Sequence, residues 1–232
     1  MNDLNHKEEH FNSSDLVRDI VIGMSDGLTV PFALAAGLSG AVDNSHVIII
    51  AGIAEVAAGS IAMGLGGYLA GKTEMDHFNS EHSREVWEVE NLPEKEKEEV
   101  REIFAEMGMS ESTQKLIVEE MAKDKEKWVD FMMRYELGLE KPDAKRARNS
   151  ALNIGISYII GGMVPLSPYF FFHTPAEGLK WSAVITVLCL LTFGYFKARF
   201  TGQNPVAGAL RVAIIGSVAA AAAFFIAKLI SH

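Results

Sequence analysis

The 232-residue chain has a single cysteine, Cys189, and it lies inside an apolar run. A disulfide framework and a cysteine metal site are therefore both excluded, and Cys189 reads as a small packing residue. Basic residues are also scarce, 21 Lys plus Arg against 30 Asp plus Glu for a net charge of −9, which disfavours nucleic acid as a partner and favours cations or basic partners. GxGxxG, a Walker loop, HExxH and a nucleophilic-serine motif are all missing, so an ATP-driven pump or a membrane metalloprotease has no support. The polar segment Met1–Asp19 lacks the short apolar core and cleavage site of a signal peptide, so the first apolar segment itself is expected to direct insertion. There is no strand signal, no fixed-period repeat and no low-complexity tract.

What the chain has instead is a set of long apolar segments. Ile20–Val42, Val47–Leu69, Ala151–Phe172, about Trp181–Phe196, and Pro205–Ile230 each read as a membrane span. About 20 helical residues at ~1.5 Å each cross a hydrocarbon core of ~30 Å. Gly161-Gly162, Pro165 and Pro168 are expected to break the third span. Between the second and third spans lies a charged block, residues 72–150, with 21 Asp plus Glu against 14 Lys plus Arg. The predicted fold is an all-α integral membrane protein of five transmembrane helices, with a cytosolic helical domain inserted between helices 2 and 3. Its expected boundaries are 1–71, 72–148 and 149–232. Lys7, Arg18, Lys145, Arg146, Arg148, Lys197 and Arg199 fall on one side of such a topology and only Lys180 on the other. The positive-inside rule then puts the N-terminus and the charged block in the cytosol, and Ser231-His232 on the far side.

Within the block the periodicity is helical. The second span is expected to continue as a polar helix to a break at Asn91–Leu92, and Pro93 suits the first turn of the next helix. Val100, Ile103, Phe104 and Met107 form its apolar face, Gly108 its C-terminus and Ser110 the next N-cap. Leu116, Ile117 and Met121 are expected to continue the core stripe, followed by Trp128, Phe131, Met132 and Tyr135 after Asp124.

Two sets of residues carry chemistry. Asp26, in the first span with Gly27 and Pro31 close behind, and Glu55, in the second, are acids at membrane depth with no intramembrane Lys or Arg as an obvious partner. An ionisable group there marks an ion path, unless a hydroxyl such as that of Thr29 or Ser60 merely satisfies it. Met63, eight residues beyond Glu55, projects about 80° from it on the helical period, so both can line one broad face. Its thioether would discriminate transition metals from Mg²⁺ and Ca²⁺. In the block, Glu81, Glu85 and Glu88 share one helix face, and Glu96, Glu99, Glu102 and Glu106 line the next helix. Like charges at such spacing repel unless cations compensate. Met132, Met133 and Glu136 add sulfur and a carboxylate, a donor set suited to Fe²⁺ or Mn²⁺ and tolerant of Zn²⁺ or Co²⁺. His77 and His82 could join.

The stretches S-D-G-L-T-V-P-F-A-L-A-A-G-L-S-G (Ser25–Gly40) and A-E-V-A-A-G-S-I-A-M-G-L-G-G-Y-L-A (Ala54–Ala70), with a Glu-rich helical insertion between spans two and three, resemble the vacuolar iron transporter family, above all its plant members. The resemblance covers essentially the whole chain. It implies a homodimer in the vacuolar membrane with a translocation path at the subunit interface. It further implies export of Fe²⁺, and often Mn²⁺, from cytosol to vacuole in exchange for protons, with no resident cofactor and no enzymatic activity. The family's path residues fall on Asp26, Glu55 and Met63, and its cytosolic metal positions on Glu85, Glu88, Glu96, Glu99, Met132, Met133 and Glu136. A passive divalent-cation channel would use the same residues. A membrane-anchored di-iron ferroxidase would need the ExxH pairs of carboxylate bundles, which are absent.

Overall fold

The structure is a computed structural model describing residues 15–230; Lys7, used above for orientation, and Ser231-His232 lie outside them. It is all-helical, with no strand among the described residues: α1 Asp15–Ser39, α2 Ser45–Asn91, α3 Pro93–Glu106, α4 Glu111–Met121, α5 Lys125–Tyr135, α6 Arg146–Leu166, a 3₁₀ turn Ser167–Phe170, α7 Pro175–Phe200 and α8 Pro205–Ile230. Five of them, α1, α2, α6 with its 3₁₀ turn, α7 and α8, are long and apolar enough to cross a membrane. Contacts divide the chain into two compact units: Leu69–Ala147 forms one, and the segments ending at Tyr68 and resuming at Arg148 form the other. The 47-residue helix α2 contributes to both.

In the first unit α1 packs on α7 and α8, which also pack on each other. Leu28, Leu190 and Ala213 are buried in one cluster, and Ala35, Ile48, Val56, Leu166 and Tyr169 in another. Helix α1 begins before the predicted Ile20, because Asp19 is satisfied inside the fold. It is 1 % exposed, and Ser150 Oγ and Asn153 Nδ2 donate to it at 3.1 and 3.4 Å. A polar residue so held does not have to stay outside the helix. The same helix stops at Ser39, short of the predicted Val42, and Gly40 and Ala41 close a turn on the carbonyls of Gly37 and Leu38.

Gly161-Gly162 does not break α6. The pair leaves room for neighbours: a Cβ on Gly161 would lie 3.0 Å from the Leu28 nitrogen, and one on Gly162 2.6 Å from a Val56 methyl. Pro165 also stays within the helix, and Ser182 of α7 donates to its carbonyl at 2.7 Å; only after Leu166 does the chain tighten into the 3₁₀ turn. Helix α7 starts well before the predicted Trp181, since Thr174 caps the Glu177 nitrogen and Pro175 fits the first turn.

In the second unit α3, α4 and α5 enclose a core with the polar end of α2: Phe78, Val89, Val100, Val118, Trp128, Val129, Met132 and Met133. Ser110 and Asp124 are the N-caps of α4 and α5. On α4 the predicted stripe holds in part: Met121 packs on the core and Ile117 is half-buried, but Leu116 is turned out. Leu116 is 69 % exposed, and Gln114 with Val118 faces inward instead. Gln114 can be buried because its Nε2 donates to the Met109 carbonyl at 2.7 Å.

Candidate metal centre and membrane carboxylates

Two groups of carboxylates in the helical unit come close enough to share an ion. Glu85 and Glu88 of α2 meet Glu96 of α3, and Glu96 also meets Glu99 of α3 and Glu136 at the C-terminal end of α5. Within each group one oxygen per residue lies within 4.8 Å of the others. Glu96 belongs to both and so joins them. Glu81, Glu102, Glu106, His77 and His82 belong to neither; Glu81 is held at 2.7 Å by Arg84. Met132 and Met133 are fully buried in the apolar core beside Trp128 and Val129.

The electrostatics of the cluster are unfavourable as it stands. Glu85 is 1 % and Glu96 0 % exposed, and Glu85 Oε1 and both Glu96 oxygens lack any hydrogen-bond donor in the protein. Burial, first of all, raises the Glu96 carboxyl to about 8, and the neighbouring carboxyls of Glu85 and Glu99 push the same way. Burial likewise raises Glu85, which the neighbouring Glu96 carboxyl opposes and the charges of Glu136, Glu88 and Glu99 reinforce. Glu136 is raised by burial and then by Glu99. It also sits where a helix dipole disfavours an anion. Two cations give partial relief: Lys95 lies 2.7 Å from Glu99 and 3.9 Å from Glu96, and Arg84 lies 3.9 Å from Glu88. Neither reaches Glu85. A divalent cation in either group would answer three carboxylates at once, and an all-oxygen set suits a hard ion such as Mn²⁺.

In the first unit Asp26, Glu55 and Met63 are all half-buried. Glu55 is not satisfied by Ser60, whose hydroxyl turns back to the Ala57 carbonyl at 3.0 Å. Its Oε1 accepts a 2.5 Å hydrogen bond from the hydroxyl of Tyr158 on α6, and its Oε2 is buried without a partner. Tyr158 escaped the sequence reading, because nothing local ties a tyrosine in an apolar run to an acid 103 residues away. The legible trace was its hydroxyl itself, a polar group in a span that has to find a partner. Gly27 packs on the Tyr158 main chain, which brings the α1 turn carrying Asp26 to the α6 turn carrying Tyr158.

These features define a class: an all-helical protein with five helices able to cross a membrane, acids set among them, and a helical unit whose glutamates come close enough together to share a cation. The profile of the VIT family matches residues 17–228, and the chain belongs to that family. It is 53 % identical over 223 residues to vacuolar iron transporter 1 of Tulipa gesneriana, covering 96 % of this chain and 90 % of the relative. Vacuolar iron transporter 1 of Arabidopsis thaliana is 52 % identical over 227 residues, 98 % of this chain and 91 % of the relative. Protein CCC1 of Saccharomyces cerevisiae is 37 % identical over 233 residues, covering 95 % and 71 %.

Proposed function

We propose that the protein is a proton-coupled antiporter that carries Fe²⁺, and Mn²⁺ with it, from the cytosol across the vacuolar membrane for storage and detoxification. The observation that carries the reading is the set of buried, donorless glutamate oxygens at Glu85 and Glu96, in a chain that shares more than half its residues with a protein named a vacuolar iron transporter. Such oxygens are stable only with a cation or a proton. In this reading Glu85, Glu88, Glu96, Glu99 and Glu136, with Met132 and Met133, hold cytosolic metal, with Co²⁺ and Zn²⁺ as competitors. Asp26, Glu55 and Met63 line the path through the bilayer, and two copies of the chain form it together.

Coupling follows from the ligand chemistry. A carboxylate in a low-dielectric path binds either a proton or a metal, since protonation removes the charge that holds the cation. Protons arriving from an acidic lumen then release metal there and ride back on the emptied carboxylates. The test is Fe²⁺ uptake into proteoliposomes with an imposed pH gradient. Uptake that rises with lumenal acidity, and that Mn²⁺ inhibits, is expected. Flux unchanged when the gradient is collapsed refutes antiport, and flux set by voltage alone identifies a passive channel. Oxygen consumption on adding Fe²⁺ would instead point to a ferroxidase.

A further inference from the structure

Tyr158 is 2 % exposed, and two helices leave out a side chain to hold it. On α2, a Cβ at Gly59 would come 2.4 Å from the Tyr158 hydroxyl oxygen and 2.5 Å from the ring carbon that bears it. On α1, a Cβ at Gly27 would come 2.4 Å from the Tyr158 carbonyl. At contacts that short something has to shift, and neither a rigid ring nor a packed main chain shifts without cost. The phenol is therefore seated against α2 and the Tyr158 main chain against α1, and its one rotatable polar atom meets Glu55 Oε1 at 2.5 Å. The other carboxylate oxygen, Oε2, is buried with no hydrogen-bond partner. Glu55 thus has one oxygen already engaged and one, buried, without a donor.

We infer that Tyr158 is a positioning and selectivity residue for the cation path: by occupying Oε1 it restricts Glu55 to ligating the passing ion through Oε2 alone. The inference rests on the transport reading above and deepens it. A carboxylate free to rotate can grip a cation with both oxygens, a mode that Ca²⁺, with its 6–8 oxygen ligands at ~2.3–2.6 Å, uses readily. A single oxygen gives a weaker hold, which serves a site that has to release its ion as well as admit it. Smaller transition-metal ions lose less by it, because they need fewer oxygen ligands than Ca²⁺ does to fill their shell. Tyr158 would thereby lower residence time and exclude Ca²⁺ with the same hydrogen bond.

The experiment compares wild type, Tyr158→Phe and Gly59→Ala, each reconstituted as the full chain in proteoliposomes. Fe²⁺ uptake is measured over a concentration range with and without Ca²⁺. Tyr158→Phe keeps the ring and removes the donor. Its KM for Fe²⁺ is expected to fall about tenfold, the low end of what a hydrogen bond to a charged group is worth, with Vmax falling by a like factor. Ca²⁺ is expected to inhibit it at about tenfold lower concentration than wild type, for the same reason. Gly59→Ala displaces the hydroxyl without removing it and should shift both readings the same way by less. If Tyr158→Phe does not fold, as judged by its melting temperature in detergent, Gly59→Ala decides on the same two readings. A folded Tyr158→Phe with unchanged KM and unchanged Ca²⁺ sensitivity overturns the inference, as does a loss of Vmax alone, the mark of a purely structural role. Absence of Fe²⁺ flux in wild type overturns the transport reading instead.

Discussion

The two sets of acids solve opposite problems. In the helical unit five glutamates from three helices are crowded together, and the nearby Lys95 and Arg84 reach only some of them. In the first unit Glu55 stands with a single donor, Tyr158, at one oxygen. Crowding raises the free energy of the empty state and makes a divalent cation or a proton welcome. A lone, half-satisfied carboxylate binds less and lets go more easily. In the transport we propose, the difference is the one that a collecting site and a passage site would need, and it is the property that substitutions can attack.

The largest effect is expected from Glu55→Gln. The amide cannot bind a cation by charge, so Fe²⁺ uptake in proteoliposomes should fall to background, while equilibrium binding of Fe²⁺ by the solubilised chain is retained. Uptake at the wild-type rate would remove Glu55 from the path. The converse substitution is the double change Glu85→Gln with Glu96→Gln. Binding affinity, followed by titration calorimetry with Mn²⁺ or Co²⁺, should weaken by at least the ~10–100-fold that loss of a mere supporting partner costs a metal site. Retained affinity would mean that the cluster does not hold metal.

A third prediction tests packing beneath the membrane acids. Gly27→Ala places a methyl 2.4 Å from the Tyr158 carbonyl, and overpacking of this kind costs about 1–3 kcal/mol, visible as a lower melting temperature in detergent. A fourth separates the regions by pH. Since Glu96 is held near 8, above its unfolded value of about 4.5, the folded state binds the proton more tightly than the unfolded state does. Stability of the metal-free chain should therefore fall as pH rises from about 4.5 to about 8 and level off above. Differential scanning fluorimetry should show that fall, and Glu96→Gln should flatten it. Added Mn²⁺ should raise the melting temperature more at pH 8 than at pH 5.5, because metal needs the deprotonated form. The smallest effect is expected at Leu116→Ala, which should change stability by no more than ~0.5 kcal/mol despite the side chain's place in an apparent apolar stripe.

Much of this was written into local sequence. Long apolar runs, Pro93 after a break, and Ser110 and Asp124 as caps each act within a few residues, so periodicity and capping rules reach them. The face bearing Glu85 and Glu88 on α2, and the one bearing Glu96 and Glu99 on α3, follow from helical spacing alone. That Glu136 meets them, while Glu81 and Glu102 do not, depends on how α3 and α5 pack. The pairings of Asp19 with Ser150 and Asn153 and of Glu55 with Tyr158 join segments more than 100 residues apart, and no local pattern encodes them. Leu116 misled because hydrophobicity marks what is free to be buried, whereas the buried place on α4 went to a glutamine with a carbonyl to bond.

Pro31, buried within α1, has one more consequence. Having no N–H, it leaves the carbonyl of Gly27 without its usual helical donor, one residue from Asp26. A carboxylate loses its charge when it takes up a proton, but an amide carbonyl does not titrate in the range where cells live. Beside the acid, then, lies a fixed dipole whose strength is the same at cytosolic and at lumenal pH. In the transport we propose, the wall of α1 would combine a switchable negative group with a constant one, so protonation of Asp26 would dim the local potential without extinguishing it.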